Sequence, residues 1–240
     1  MVLCGVCSNQ ETYSNTVKKR CLGERIEKVK NITVYSSRGP NSAKEIGQYC
    51  SLNKARHPNS TTSDEVAIEG AGDAGFLVPF IFPEYKVKDD AAVTAKEKCI
   101  IPHTKDMRKR EWKNSSQNTK RLTVDIGWVN MTLALQACGE VVSSSLHGII
   151  LSEAFGIASR RLTLSGAPGD FKFNDFYSSL RGSEPYVVNK IEEAFATMSK
   201  PLDLNDREEY AKRVLKTFPI HLFHAVGELA SAKEISASQQ

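Results

Sequence analysis

The alternation of apolar and polar segments along the chain predicts strands that are followed by helices. The clearest example starts with Val141–Val142, passes through three serines to His147 and Gly148, and continues as an apolar segment to Gly156. A short β-branched run, a tight turn and an apolar run closed by glycine are typical of a strand, a turn and a helix. We therefore expect a helix over Leu146–Phe155 with His147 in its first turn.

The same pattern recurs on both sides of this unit. Further predicted strands are Ile32–Tyr35, Cys99–Ile101, Leu122–Ile126 and Arg161–Leu164, and further predicted helices are Asn41–Cys50 and Val129–Cys138. From Pro185 onward the pattern is helical. Strands that alternate with helices favour an α/β fold with a parallel, Rossmann-type sheet.

A change in composition suggests where the chain divides. The stretch Tyr85–Lys98 is charged and holds few large apolar residues, so it is the best candidate for a linker. We expect residues 1–95 to form a partial N-terminal α/β domain with this linker. Residues 96–240 would then form a C-terminal α/β domain that ends in closing helices.

Composition and charge narrow the classes of partner. The chain has 240 residues, of which 40% are apolar and 25% charged, and a net charge of +4. Its densest basic run, at 105–113, is interrupted by acids, so a solvated helix face is favoured over a nucleic-acid surface. No segment approaches the roughly 18 apolar residues of a membrane span. We expect neither a nucleic-acid partner nor a transmembrane segment, and a modest positive charge suits a phosphorylated small substrate.

Three motifs of common functional sites lack the neighbouring residues that those sites require. Among the six cysteines only Cys4 and Cys7 are closely spaced, without a second such pair or matching histidines, so free thiols are favoured over a metal or redox site. The glycine pattern at Gly70–Gly75 is followed by interrupting prolines, which disfavours a dinucleotide site. The serines near His147 lack the Gly-x-Ser-x-Gly elbow of a hydrolase.

Polar side chains are expected where predicted strands end. Ser144, Ser145 and His147 lie at the start of a predicted helix, whose unpaired N–H groups favour anions. His147 is either a satisfied core histidine or a catalytic one. His103 follows the strand Cys99–Ile101 in the same way.

Other residues have an equally open interpretation. Arg38 ends a predicted strand and is either a surface arginine or a bidentate fork for phosphate or carboxylate. Gly148 permits close approach of backbone or ligand. The segment Phe171–Tyr177 is an aromatic anchor or a substrate wall, in which Lys172 and Asp175 could face a ligand.

Several of these stretches follow one another in an order that matches a known family. They are Tyr35–Pro40, Gly72-Asp73 with Leu77–Pro79, Ile101–His103, Ser145–Gly148 with Glu153–Ile157, and Phe171–Tyr177. In these stretches the chain resembles the polysaccharide pyruvyl transferase family, exopolysaccharide type. The similarity covers roughly residues 30 to 182, and the ordered set is more specific than any single motif.

The resemblance implies a two-domain fold similar to GT-B glycosyltransferases. It implies transfer of pyruvate from phosphoenolpyruvate to two hydroxyls of a saccharide acceptor, giving a cyclic ketal and phosphate, without a metal or organic cofactor. By the same resemblance, Arg38 and His147 would be catalytic. Expected substrate contacts are Ser144, Ser145, Leu146, Gly148, His103 and Lys172. Many members have arginine where this chain has Ser145, so Lys172, Arg160 or Arg161 is expected to supply that charge.

Two alternatives to this function stay open. One is a GT-B glycosyltransferase that uses a nucleotide-sugar. The other is a truncated, non-catalytic sugar-binding remnant, because the family has a much longer segment before its arginine–glycine turn. We expect the first strands of the N-terminal domain to be missing here. A cytoplasmic location is favoured, with the Golgi lumen as the option for a eukaryotic chain.

Overall fold

A four-stranded parallel sheet forms the centre of the part of the chain that the structure describes. The computed structural model describes residues 37–45, 72–85, 97–113, 118–164, 170–182 and 187–217. Within them the strands are β1 (Glu97–Ile101), β2 (Thr119–Arg121), β3 (Cys138–Ser143) and β4 (Ala158–Arg161). They lie in the order β2-β1-β3-β4, and every pair is parallel. The expected α/β class with a parallel sheet is therefore confirmed.

Helices connect and flank the strands. They are α1 (residues 40–45), α2 (Val78–Ile81), α3 (Arg110–Lys113), α4 (Trp128–Leu135), α5 (Leu146–Ala154), α6 (Asp170–Arg181), α7 (Ile191–Ala196) and α8 (Leu204–Lys216), with 3-10 turns at Ala74–Leu77 and Pro83–Tyr85. The predicted helix after β3 is confirmed, because α5 begins after Ser145 and the chain turns at Gly156 with φ of 67°. Among the described residues, none of these helices has the length and apolar character needed to cross a membrane.

The strand order creates a topological switch point between β1 and β3. From β1 the chain passes to β2 on one side and then returns to β3 on the other, so Ile100 is paired with both Arg121 and Val142. Connections on opposite sides of β1 diverge at the carboxyl ends of β1 and β3, and open α/β sheets bind ligands at such a switch point. The segments that follow these two strands carry His103 and His147.

Two predicted strands are wrong in position, because the real strands are polar. The strand predicted at Leu122–Ile126 is Thr119–Arg121 instead. The apolar residues after it form a turn whose Leu122 is buried in the core. The strand predicted at Arg161–Leu164 is Ala158–Arg161 instead. In both cases the apolar run in the sequence lies at or just beyond the end of the real strand.

Other predicted bounds shift or cannot be compared. The predicted helix Val129–Cys138 ends at Leu135, and Cys138 already begins β3. The predicted strand Ile32–Tyr35, the later part of the predicted helix Asn41–Cys50, and most of the predicted linker lie outside the described residues.

The described parts of both predicted domains share one apolar core. Phe76 and Leu77, from the N-terminal part, are buried in a cluster with Ile149 of α5, Phe176 of α6 and Tyr210 of α8. A second cluster lies under β1, β3 and α4, and a third lies between the sheet and α7. The division at residue 95 stays a prediction, while residues 72–85 pack directly on the sheet domain.

A disulfide joins the two central strands. Cys99 of β1 and Cys138 of β3 are bonded, and both are buried. The expectation of free thiols is therefore wrong for these two residues, whose 39-residue separation carries no motif. Cys4 and Cys7 lie outside the described residues. The disulfide joins the middle of β1 to the start of β3, the two strands whose carboxyl ends form the switch point.

Candidate functional site

Serine hydroxyls tie the carboxyl ends of β1 and β3 together. The Ser143 hydroxyl lies 2.8 Å from the Ile101 carbonyl and accepts a hydrogen bond from the Ser145 backbone N–H. The Ser144 hydroxyl accepts the backbone N–H of His103 at 2.9 Å. Both serines are buried, so they hold the segment after β1 beside the start of α5. The expected substrate contact of Ser144 stays a prediction, and its hydroxyl already has a partner.

The first turn of α5 packs tightly on these strand ends. A β-carbon at Gly148 would overlap the Ser143 hydroxyl and press on Ile101. This packing accounts for the glycine without a ligand. Leu146 is buried in the apolar core, whereas His147 is exposed. Ser145 makes no side-chain capping bond, so its hydroxyl does not satisfy the N–H groups that begin the helix.

Four cationic side chains from separate segments form a cationic group in which three act electrostatically on the fourth. Burial lowers the pKa of Lys172 on α6, and the positive charges of Arg38, Arg161 and Lys105 lower it further. These residues come from the segment before α1, the end of β4 and the loop after β1. Asp106 acts on Lys172 in the opposite direction. An ammonium group that is surrounded by like charges favours a bound anion.

Arg38 is held in place by an acidic partner. Its Nε donates to Oδ2 of Asp73 at 2.9 Å, and the two side chains are 14% and 13% exposed. The other Asp73 oxygen accepts the backbone N–H of Gly75. Since Nε is engaged, the two Nη groups of Arg38 are the ones that can grip a planar anion.

The two polar candidates on α6 have different surroundings. Asp175 is fully buried and accepts the backbone N–H groups of Asn41 and Ser42 at the start of α1, together with the Ser42 hydroxyl. It therefore anchors the segment that carries Arg38 and does not face the cationic group. Lys172 does belong to that group.

A backbone hydrogen bond selects the tautomer of the neutral His103 ring. Its Nδ1 accepts the backbone N–H of Lys105 at 3.2 Å, which leaves the ring hydrogen on Nε2. Burial lowers the pKa of His103, and Lys172, Lys105 and His147 lower it further, while Asp106 opposes them. A neutral imidazole with an N–H donor can polarise an oxygen of a ligand without being protonated first.

The aromatic residues of α6 pack in the apolar core. Phe173, Phe176 and Tyr177 are buried, which fits the aromatic anchor rather than the substrate wall. The guanidinium of Arg161 lies 3.9 Å from the centre of the Phe173 ring. Of the three residues expected to supply the charge missing at Ser145, Lys172 and Arg161 interact with each other, whereas Arg160 interacts electrostatically with Tyr177.

The arrangement suits a small, multiply charged anion beside two imidazoles. Within the described ranges, no group of three or more His, Cys, Asp or Glu side chains could hold a metal ion. Asp73 and Lys105 were not among the expected site residues. The glycine–aspartate pair at Gly72-Asp73 was the only sequence signal for the former, and Lys105 had none beyond its place after His103.

Comparison with known proteins shows a similarity to a viral protein. No family model and no solved structure matches the chain. It is 34% identical over 143 residues to "Uncharacterized protein L143" of Acanthamoeba polyphaga mimivirus, in a match that covers 56% of this chain and 47% of the viral protein. The chain thus spans about half the length of the relative that it matches.

Proposed function

We propose that the chain is a pyruvyl transferase that moves pyruvate from phosphoenolpyruvate to a saccharide. One observation carries the proposal: Lys172 interacts electrostatically with Arg38, Arg161 and Lys105 and also with His103, which follows β1 at the switch point of the parallel sheet and interacts with His147. The ordered motifs shared with the polysaccharide pyruvyl transferase family support the same function.

The charges of the donor match those of the site. Phosphoenolpyruvate has a carboxylate and a phosphate on the same carbon, so its binding requires several cationic groups in a small volume. The Nη groups of Arg38 suit a bidentate contact, while Lys172 provides a point charge. The first N–H groups of α5 add a further favourable place for an anion.

The reaction consists of one protonation and two attacks. Protonation of the methylene carbon leaves an oxocarbenium-like centre, to which a sugar hydroxyl adds. Phosphate then leaves with its bonding electron pair, which regenerates an oxocarbenium-like centre, and a second hydroxyl of the same sugar adds to it and closes the ketal. Each hydroxyl gives up one proton, of which one is taken up by carbon and the other by the departing phosphate. His147, exposed at the start of α5, is suited to these transfers, and His103 to holding a donor oxygen by its Nε2–H.

One experiment distinguishes pyruvyl transfer from two other functions. A GT-B glycosyltransferase would use these cations for the diphosphate of a nucleotide-sugar, and a sugar-binding remnant would need no donor. We would measure phosphate release from phosphoenolpyruvate with a panel of sugars. We would also compare the affinity of the chain for phosphoenolpyruvate with that for uridine and guanosine diphosphates.

The outcomes separate the three functions. Sugar-dependent phosphate release that is lost in Arg38→Ala, but kept in the exposed Lys120→Ala, supports pyruvyl transfer. Tighter binding of a nucleoside diphosphate than of phosphoenolpyruvate indicates the glycosyltransferase. Sugar binding without affinity for either donor indicates the remnant.

A further inference from the structure

We propose that Asp73 is a positioning residue, which aims the guanidinium of Arg38 at a bound anion. The inference rests on the proposed function in that both place an anion beside Arg38. The inference goes beyond the proposed function because it assigns a role to an acidic residue inside a cationic site. A carboxylate in such a place repels the anion, so its presence needs a structural reason.

The Asp73 carboxylate uses both of its oxygens to define one geometry. Oδ2 accepts Arg38 Nε, and Oδ1 accepts the backbone N–H of Gly75, each at 2.9 Å. The second bond caps the 3-10 turn Ala74–Leu77, whose Phe76 and Leu77 lie in the main apolar core. The carboxylate therefore cannot turn without breaking a contact to a buried turn.

A distant helix fixes the backbone of Asp73. Its N–H donates to the hydroxyl of Tyr210 on α8 at 3.3 Å, and that hydroxyl also lies 2.9 Å from the Ser179 hydroxyl on α6. The preceding Gly72 has φ of 138°, and a β-carbon there would overlap the Tyr210 hydroxyl. The aspartate is thus held by residues that lie far from it in the sequence.

Arg38 needs this support because of its neighbour. The charge of Arg38 lowers the pKa of Lys172, so the two cations lie close enough to repel each other. Without a ligand, repulsion favours rotamers of Arg38 that point away from Lys172. The bond from Asp73 to Nε keeps the guanidinium near Lys172, and the Nη groups are left for the anion.

The test compares single and double variants in binding of inorganic phosphate. Asp73→Ala and Arg38→Ala should each weaken binding about tenfold, which is the loss of one good charge-assisted contact. Because Asp73 acts through Arg38, adding Asp73→Ala to Arg38→Ala should cause no further loss. Asp73→Asn keeps one of the two acceptor oxygens without the charge, so its phosphate affinity should lie between those of Asp73→Ala and the unchanged chain.

A second capping aspartate provides the matched control. Asp203 accepts the N–H of Asp206 at the start of α8, so Asp203→Ala removes a cap without touching Arg38. It should lower the melting temperature and leave phosphate affinity unchanged. The 15N–1H signal of Arg38 Nε should be protected from exchange in the unchanged chain and lose protection in Asp73→Ala.

Each result decides between the possible roles. Independent losses that add in the double variant, or an Asp73→Asn variant with unchanged affinity and exchange, would overturn the positioning role. Phosphate binding with the expected coupling but no turnover of phosphoenolpyruvate would support this inference and count against pyruvyl transfer. A chain that binds no phosphate would overturn both.

Discussion

Gly39 lies so close to Asp175 that a β-carbon on residue 39 would overlap the Asp175 carbonyl oxygen. The Asp175 carboxylate also accepts the N–H groups that begin α1. The segment carrying Arg38 is therefore seated directly on α6, the helix that carries Lys172. This joint sets the separation between the two cations of the candidate site.

Substitution of Gly39 should separate the two cations. In Gly39→Ala the added carbon meets backbone rather than a flexible side chain, so the segment must move off α6. We expect phosphate affinity to fall at least tenfold, because displacement of a positioned group by about 1 Å is costly. Titration calorimetry with phosphate measures this loss.

Gly182 offers a matched control for this prediction. It has φ of 81°, and a β-carbon there would meet nothing within 4 Å. Gly182→Ala should therefore cost about 1–3 kcal/mol of stability from backbone strain and leave phosphate affinity unchanged. A Gly39→Ala variant that binds phosphate as tightly as Gly182→Ala would contradict the proposed joint.

The sequence predicted the part of the fold in which local pattern and tertiary packing agree. Helix α5 combines an apolar run with a glycine at its end, and β3 contains a β-branched pair, so both were located. Strand β4 is Ala-Ser-Arg-Arg, and its Ser159 and Arg161 are buried against side chains of other elements. Ser159 donates to Glu153, and Arg161 lies over Phe173. No local pattern reports such contacts.

The residues of the candidate site also differ in whether a local pattern in the sequence indicates them. His103, His147 and Lys172 were predicted because each follows a strand end or lies in a recognisable motif, and their functional roles stay predictions. The pairing of Arg38 with Asp73 spans 35 residues, and it depends on Tyr210, which is 137 residues beyond Asp73. A single sequence contains no signal for a contact that needs three separate segments.

Removal of the Cys99–Cys138 disulfide should destabilise the protein. The bond closes a loop of 39 residues between β1 and β3, and loss of such a native link typically costs about 2–5 kcal/mol. We expect the double variant Cys99→Ala, Cys138→Ala to unfold at a lower urea concentration. Reductant should lower the midpoint of the unchanged chain and leave that of the variant unaltered. Equal midpoints for oxidised and reduced chain would contradict a stabilising disulfide.

Glu153 should make stability depend on pH in an unusual direction. Its carboxylate is buried on α5, with the Arg181 guanidinium at 2.7 Å and the Ser159 hydroxyl at 2.9 Å. Burial raises the pKa of Glu153 above its ordinary 4.5, against the opposing effect of Arg181. A raised pKa means that the contribution of this group to stability is complete below pH 4.5 and is lost as pH rises through the folded-state value.

The comparison with Glu153→Gln isolates this effect, because glutamine cannot ionise. Urea unfolding of both proteins between pH 4 and 8 gives the difference in their free energies of unfolding. The unchanged chain should lose stability relative to the glutamine variant as pH rises above 4.5, and the difference should then level off. A relative gain with rising pH would show that the ion pair with Arg181 outweighs burial.

His103 should titrate below its ordinary value, and Lys172 should contribute to that shift. Burial is the larger cause of the lowered pKa of His103 and the positive charge of Lys172 the next. Lys172→Met should therefore raise the pKa of His103 part of the way back toward 6.5, as NMR titration of the imidazole would show. Lys120→Met is the control, because Lys120 is paired with Glu97 on β1.

The bound state should shift the same titration. Phosphate places negative charge among the cations that lower the pKa of His103, so saturating phosphate should raise it. The neutral ring should carry its hydrogen on Nε2, since Nδ1 accepts the Lys105 N–H. A hydrogen on Nδ1, or a pKa unaffected by Lys172→Met, would contradict this description of the site.

His147 and Arg38 should fail in different ways if the proposed reaction is correct. His147 is exposed at the start of α5, so His147→Ala leaves the cationic group in place and removes proton transfer. Turnover should fall about 10²–10⁴-fold while affinity for phosphoenolpyruvate largely survives.

Arg38→Ala should weaken binding of phosphoenolpyruvate about tenfold or more. Arg38→Lys should restore only part of that affinity, because an ammonium cannot make two parallel bonds to one anion. Phosphate release and donor affinity, measured for all three variants, check the division. Normal turnover in His147→Ala would remove His147 from the chemistry and leave His103 as the imidazole that acts on the donor.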